Sequence, residues 1–437
     1  MSAGNGCANF LSGDFEVVVV GAGPAGLAAA VSAANAGRRV ALVDDNPEAG
    51  GQIWREGGVR PTAAREWMRK LGSSGVARFF GARVFDAPSR GVVRVESDGG
   101  CFDLHYEKLI LATGARELFL PFPGWTLPGV FGAGGLDAMA RGGLPVAGKR
   151  VVVAGTGPLL LAVAGHLAAR GATIVAICEQ ATMRKVLSFA GGLLAQPGKL
   201  LQGVAYRWTA RGAVMHFGCW PVAARGDTTL RSVMVRQGDR HWDVDCDFAA
   251  CGFHLVPNVE LARLSGCRIE DGFVAVDAMQ QTSVAGILCA GEPCGIGGVD
   301  VAVLEGQIAG LAAAGKLGEA RGMLARRRRM DRFVHALRNA CALNPELREV
   351  ATDETIVCRC EDVRYGALKR HRSWRDAKLQ TRCGMGPCQG RVCGAAAEFF
   401  FGWRMGDVRP PAFPARVSSF AGEISVTERE GRCSGTA

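Results

Sequence analysis

An α/β fold built on two dinucleotide-binding units is predicted by three features of this 437-residue sequence. The first is VVVVGAGPAGLAAAV, from Val17 to Val31. The second is a later copy of the same design, KRVVVAGTGPLLLAVAGHLAARGATIVAICE, from Lys149 to Glu179. The third is a pair of apolar strands that run into glycine turns on either side of that copy: KLILATGA and GILCAGEP. Four β-branched residues in a row read as a strand buried on both faces, and the Ala-rich run after Gly26 reads as a helix.

The first turn carries G-x-G-x-x-G at Gly21, Gly23 and Gly26, with Pro24 and Ala25 opening the helix. The three glycines respectively permit a tight turn, backbone approach to a pyrophosphate, and close strand–helix packing. Free N–H groups and the positive helix end then face the phosphates. A second strand, RRVALVD, ends at Asp44, where an acid is expected on a ribose hydroxyl. Strand, turn, helix and acid in this order separate a dinucleotide site from an ordinary glycine-rich turn.

Composition narrows the class. Apolar residues at 48% and charged residues at 21% are ordinary for a globular chain long enough for several domains. A formal charge of +10 is concentrated in ARRRRMDR at Ala325–Arg332. No aromatic residues interleave with it, which argues against nucleic acid and for a solvated helix face or a docking surface. The first residues lack the pattern of a signal peptide, and no apolar run reaches the length of a membrane span. The expected location is therefore cytoplasmic, peripheral to the inner membrane only through partners. Sixteen cysteines there point to buried thiols and a metal or cluster, not to a disulfide framework.

In chain order, NPEAGGQIWR follows Asp44; Gly51 allows close backbone approach and Gln52 is placed to meet a flavin edge. Ala112, Thr113 and Gly114 end a buried strand in a turn like the one that, in two-dinucleotide flavoproteins, returns the chain to the cofactor domain. LPFPGWTLPGVFGAGG is a crossing between domains. The second glycine turn has Gly155 and Gly157 but Leu160 in the third place, so strand and helix are pushed apart. This unit is left open between an altered NAD(P) site and a scaffold. His166 on its helix reads as a packed residue, and Leu201–Asp247 reads as strand-rich. At the last signature, Gly291 and Glu292 stand where flavoproteins of this architecture carry Gly-Asp. The helix after Gly298 would aim its positive end at the isoalloxazine.

Near the C-terminus lie TIVCRCEDV and LQTRCGMGPCQGRVC. C-x-C at Cys358 and Cys360, with a second pair further on, is the ligand set of a [2Fe–2S] centre. Structural zinc seldom uses C-x-C, but would accept four thiolates. Spacing alone leaves the second pair open between Cys383/Cys388 and Cys388/Cys393.

Residues 14–317 resemble the two-dinucleotide-binding flavoprotein fold of the glutathione and thioredoxin reductase superfamily, which implies FAD in a first, discontinuous domain. The redox dithiol of disulfide reductases is missing, since GGQIW replaces it and Cys178, Cys219, Cys246 and Cys251 form no C-x-x-C. Cys289 and Cys294 read as structural. The cysteine segment resembles the bacterioferritin-associated-ferredoxin type of [2Fe–2S] domain, which implies Cys358, Cys360, Cys388 and Cys393 as ligands and Cys383 as the spare. With GGQIWR, PFPGWTLPGVFGAGG and GTGPLLLAVAGHLA, nearly the whole chain resembles one family of FAD/[2Fe–2S] subunits. Its members serve opine (octopine/nopaline) oxidase, hydrogen cyanide synthase and, as the α subunit, dye-linked proline/hydroxyproline dehydrogenase.

That resemblance implies an electron-transfer subunit with no catalytic residue of its own for substrate. A separate oxidase-fold flavoprotein subunit would oxidise the amino acid or opine, and a small ferredoxin-like subunit would complete the complex. The alternatives are a self-sufficient NAD(P)H-dependent flavin/iron–sulfur reductase and a non-catalytic assembly subunit with vestigial nucleotide sites. The expected organisation is an FAD-binding domain in two parts (1–120 and 257–317) around an NAD(P)-binding-like Rossmann domain (121–256). A helical connector (318–352), a [2Fe–2S] domain (353–408) and a tail (409–437) follow.

Overall fold

A computed structural model describes residues 14–54, 61–192, 197–406 and 408–421. The first sheet is centred on Asp14–Val20, whose valines leave no face for water and are at most 7% exposed from Val17 to Val20. This strand pairs in parallel with Val40–Asp44 on one side, in the register Val18↔Ala41, and with Gly100–Leu111 on the other, Val18↔Leu109. Gly100–Leu111 is long enough to serve two partners. Its first half pairs antiparallel with Val92–Ser97, and its second half takes Ile287–Cys289 in parallel, Leu288↔Ile110. A strand nearly 180 residues downstream therefore finishes the first sheet.

The two helices of this unit, Pro24–Asn35 and Val299–Ala313, pack backbone to backbone. A Cβ added to Gly306 would lie 2.1 Å from the Ala25 carbonyl oxygen, and one on Gly310 would lie 2.3 Å from that of Ala29. Alanines and glycines four residues apart on each helix give the two facing stripes.

Between these parts lies a second, wholly parallel sheet in the order Val214–Phe217, Thr173–Glu179, Arg150–Gly155, Phe248–Gly252, Val130–Gly132. Leu160 is 1% exposed and packs with Val163, Leu167, Val151 and Val153; the missing third glycine has become a core side chain. The crossings between the units pair as Ala115–Leu118 against His254–Pro257. The expectation of a strand-rich Leu201–Asp247 needs correction at its start, because Pro197–Thr209 is helical. Leu201, Val204 and Trp208 recur at helical spacing there, and strands begin only at Val214.

The helix Leu317–Ala340 leads to a small domain containing the hairpin Ile356–Cys358/Val363–Arg364 and the helices Trp374–Thr381 and Cys393–Phe401. Its core is continuous with that of the second unit, running from Val152, Cys178 and Trp220 through Phe119 and Trp125 to Val357, Trp374 and Phe400. The run at Ala325–Arg332, expected as a solvated helix face or a docking surface, has its arginines exposed except for one that turns inward. Arg327 turns inward to Glu305, which is 3% exposed, because that buried acid needs a counter-charge; Arg326, Arg328 and Arg329 stay exposed. Residues 413–420 return to the first sheet, where Arg416 meets Glu96 and Asp98 and Phe420 packs edge-on to Phe85. Among the described residues, no helix is long and apolar enough to cross a membrane.

Candidate flavin site and cysteine centre

The first glycine turn is tight where the chain must approach itself and open where a ligand must enter. A Cβ on Gly21, at φ +102°, would lie 2.3 Å from the Ala112 carbonyl oxygen, and one on Gly26 would lie 1.7 Å from that of Gly21. At Gly23 the nearest atom is the Cα of Gly51, 4.0 Å away. That free space, at the N-terminus of Pro24–Asn35, fits a pyrophosphate. Ala25, also expected here, is turned under Gly306. Asp44 is buried and holds the turn itself: one carboxylate oxygen accepts from the Ala22 N–H, the other from the Asn46 N–H at 2.8 Å and its Nδ2 at 2.6 Å. Gly51 rests against Gly23, while the Gln52 side chain is exposed and its carbonyl accepts weakly from Arg141 at 3.4 Å.

The Ala112-Thr113-Gly114 turn is fixed by a residue that motif reading did not find. The Asn258 side chain donates to the Thr113 carbonyl at 2.9 Å, and the Asn258 backbone carbonyl accepts from the Thr113 hydroxyl at 2.6 Å. Arg116 donates to Asn258 Oδ1 at 2.7 Å, pairs with the nearly buried Glu260 at 2.9 Å, and donates through Nε to the Arg391 carbonyl at 3.1 Å. Arg391 lies inside the cysteine loop and in turn donates to the Cys388 carbonyl at 3.2 Å. One polar chain thus joins the flavin-side turn to the cysteines.

At the last signature the two acids have different tasks. Glu305 accepts from the Gly291 N–H at 3.0 Å and pairs with Arg327 at 2.7 Å; Arg327 also bonds Asp331. A single acid in the otherwise apolar stretch VAVLEGQIAGLAAA was the available signal for this role. Glu292 accepts from the Gly298 N–H at 3.1 Å through Oε1, while its Oε2 is buried without a partner. Burial pushes this carboxyl up to about 7, and the neighbouring charge of Glu305 adds to the effect. The longer side chain therefore reaches the helix start that an aspartate here would approach from further away.

Three sulfurs, those of Cys358, Cys383 and Cys393, lie within 4.8 Å of one another. The remaining two thiols extend the group, Cys388 within reach of Cys393 and Cys360 within reach of Cys388. Cys383, the spare on resemblance, is thus one of the three closest sulfurs and fully buried, while Cys360 is exposed. The loop is drawn tight by glycines: a Cβ on Gly386 would meet that of Cys360 at 2.2 Å, and one on Gly384 would meet the Trp374 ring at 2.6 Å. Five convergent thiols fit a soft metal or an iron–sulfur centre. Cys289 and Cys294 are free thiols in contact with each other. A cavity of about 1710 Å³ runs from Glu292 and Gly298 past Arg116 to Thr156 on one side and Met405 on the other.

Fold and site together define an α/β flavoprotein. Residues 15–323 match the family described as pyridine nucleotide-disulphide oxidoreductase, and the chain belongs to that family of oxidoreductases, whose fold implies FAD. Along its length it is 30% identical to an opine oxidase subunit of Rhizobium meliloti, over 93% of this chain and 98% of that one. It is also 30% identical to the HcnB subunit of hydrogen cyanide synthase from Pseudomonas aeruginosa, over 86% and 90%. The fold of L-proline dehydrogenase from P. horikoshii superposes with a TM-score of 0.67 at 17% identity, over 94% of this chain and 80% of that one. The resemblance read from the motifs to subunits of opine oxidase and hydrogen cyanide synthase is thereby met.

Two outcomes follow from the glycines and from Glu292. Gly23→Val should fold normally yet lose FAD, because its side chain takes only free space. Gly26→Ala should destabilise the fold by about 3 kcal/mol or more through overpacking; flavin absorbance and thermal denaturation of both variants check this. For Glu292 the raised pKa means that the folded protein holds its proton more tightly than the unfolded chain. Stability of the flavin-free protein should therefore fall as pH rises from about 4.5 to about 7. Glu292→Gln should remove that slope, a gain of at most about 3 kcal/mol at pH 8, read from melting temperature against pH.

Proposed function

We propose that this chain is the FAD- and [2Fe–2S]-containing electron-transfer subunit of a heteromeric amino-acid or opine dehydrogenase or oxidase. The proposed donor is an oxidase-fold flavoprotein subunit that attacks a CH–NH or CH–NH2 bond, and a small ferredoxin-like subunit is the proposed third member. The carrying observation is the polar chain Thr113–Asn258–Arg116–Arg391, which runs from the flavin-side turn into the cysteine loop. A scaffold with vestigial sites gives no reason for that link.

When bound, FAD supplies the exchange between electron pairs and single electrons, and an iron–sulfur centre supplies one-electron transfer onward. The chain's residues do the rest. The turn at Gly21, Gly23 and Gly26, with Pro24, leaves room for the pyrophosphate, and Asp44 keeps that turn in shape. Gly291, Glu292 and Gly298 shape the other end of the site, and Asn258 sets the Thr113 turn. Cys358, Cys360, Cys388 and Cys393 are the proposed ligands, which bind as thiolates. Exposed Cys360 and half-exposed Cys388 face the outside, where a one-electron partner would dock. Cys383, buried like Cys358 and Cys393, is assigned a packing role.

Mild affinity purification of the native complex tests the function: an oxidase-fold flavoprotein subunit should co-purify, and a chain that purifies alone and oxidises an amine alone overturns it. The ligand set has its own check. Cys388→Ser should abolish the visible absorbance and acid-labile sulfide of the centre, whereas Cys383→Ser should retain both. The opposite pattern reassigns the ligands to the trio that includes Cys383.

A further inference from the structure

The chain contains the same turn twice, and corresponding positions can be compared directly. Gly23 and Gly157 are the second glycines of their turns. A Cβ on Gly23 would meet no atom nearer than 4.0 Å, but one on Gly157 would lie 2.8 Å from the Cys341 sulfur. Where the first copy leaves room over its second glycine, the second copy holds the chain's own thiol, at the edge of the cavity that Gly157, Glu179 and Cys341 line.

Cys341 closes the helix Leu317–Ala340, is 7% exposed, and hydrogen-bonds with the Thr156 hydroxyl. Gln180, 2% exposed, clamps the residues that follow. Its Nε2 donates to Thr156 Oγ1 at 3.0 Å and to the Ala342 carbonyl at 3.2 Å, and its Oε1 accepts from the Asn344 N–H at 2.9 Å. Glu179, which ends the second strand of this unit as Asp44 ends that of the first, is also engaged. It accepts from the Gly157 N–H at 2.7 Å, the Thr156 hydroxyl at 2.8 Å and the Ala181 N–H at 2.8 Å. The chain then continues as Pro345–Glu349, where Leu347 is fully buried and Glu346 pairs with Arg236 of the second unit at 2.9 Å.

We infer that the second glycine turn is a socket for the chain's own Cys341–Asn344 segment, which closes it to NAD(P) and fastens the cysteine domain to the second unit. The turn amide and the position over the second glycine, where a pyrophosphate would lie, each have an internal partner. A pyrophosphate would have to expel a buried thiol, break the Gln180 bonds and lie against a carboxylate. Such displacement leaves buried polar groups unpaired, which is costly. Electrons therefore do not enter this chain from a nicotinamide. The inference goes beyond the relay reading and stands apart from it, since it concerns only the second unit.

The test uses the full-length, flavin-loaded protein and two readouts that require neither partner subunit nor cluster. Equilibrium titration with NADH and with NADPH should show no saturable binding and no flavin bleaching. Alkylation by iodoacetamide, followed by mass spectrometry, should find Cys341 protected until the protein unfolds. Gln180→Ala should raise Cys341 labelling and amide hydrogen exchange over residues 341–349 by about tenfold or more, the effect expected from losing these hydrogen bonds. Saturable nucleotide binding to the unmodified protein, rapid labelling of its Cys341, or unchanged labelling in Gln180→Ala would each overturn the inference.

Discussion

The close approach of backbone to backbone around Gly21 is the constraint on which the rest of the molecule depends. The Gly21 carbonyl lies where a side chain on Gly26 would be, and the Ala112 carbonyl lies where one on Gly21 would be. The same first helix is approached from its other side by Gly306 and Gly310. Three segments that are far apart in sequence thus meet backbone to backbone: the first turn and its helix, the Thr113 turn and the helix Val299–Ala313. Interiors are packed too densely to absorb an added methyl group at such contacts. The site is consequently assembled only when the returning strand Ile287–Cys289 has joined the first sheet.

The two acids next to that contact show how burial divides similar groups. Glu305 has a guanidinium beside it and an N–H to accept from, so Arg327 opposes part of its cost of burial. Glu292 has an N–H but no cation, and one of its oxygens has no partner. Burial pushes both carboxyls up, and only at Glu305 does a cation oppose it. The difference rests on Arg327, one of five arginines in a short basic run, where Arg326, Arg328 and Arg329 face solvent.

The dinucleotide turn, the strand-to-glycine turns and the cysteines are legible in the sequence because each combines a backbone requirement with a short, ordered spacing. Gly21, Gly23 and Gly26 are recognisable on those grounds alone. Asn258 and Arg116 are not, because their partners are defined by the pairing of Ala115–Leu118 with His254–Pro257 across some 140 residues. Cys341 is equally silent: one cysteine at the end of a helix carries no pattern. Leu160 marks the second turn as altered, yet the consequence, a turn filled from elsewhere in the chain, depends on where Leu317–Ala340 comes to rest. The helical spacing of Leu201, Val204 and Trp208 is present in the sequence but is masked by the strands that follow.

The cysteine domain is tied down at three separate places. Cys341–Asn344 sits in the second glycine turn, the Arg391 carbonyl is held by Arg116 beside the Thr113 turn, and Arg416 meets Glu96 and Asp98 on the first sheet. A single tether would leave the domain free to rotate about it, and two would leave a hinge. Three anchors on different parts of the body remove both freedoms, and the shared core from Val152 to Phe400 adds bulk contact. A fixed distance between the flavin-side turn and the thiols is what a relay requires, because each transfer depends on separation held constant from turnover to turnover. A reductase with a mobile electron-carrying domain would need the opposite, a surface that releases. The second Rossmann unit thus serves this chain as the wall to which its cysteine domain is bolted.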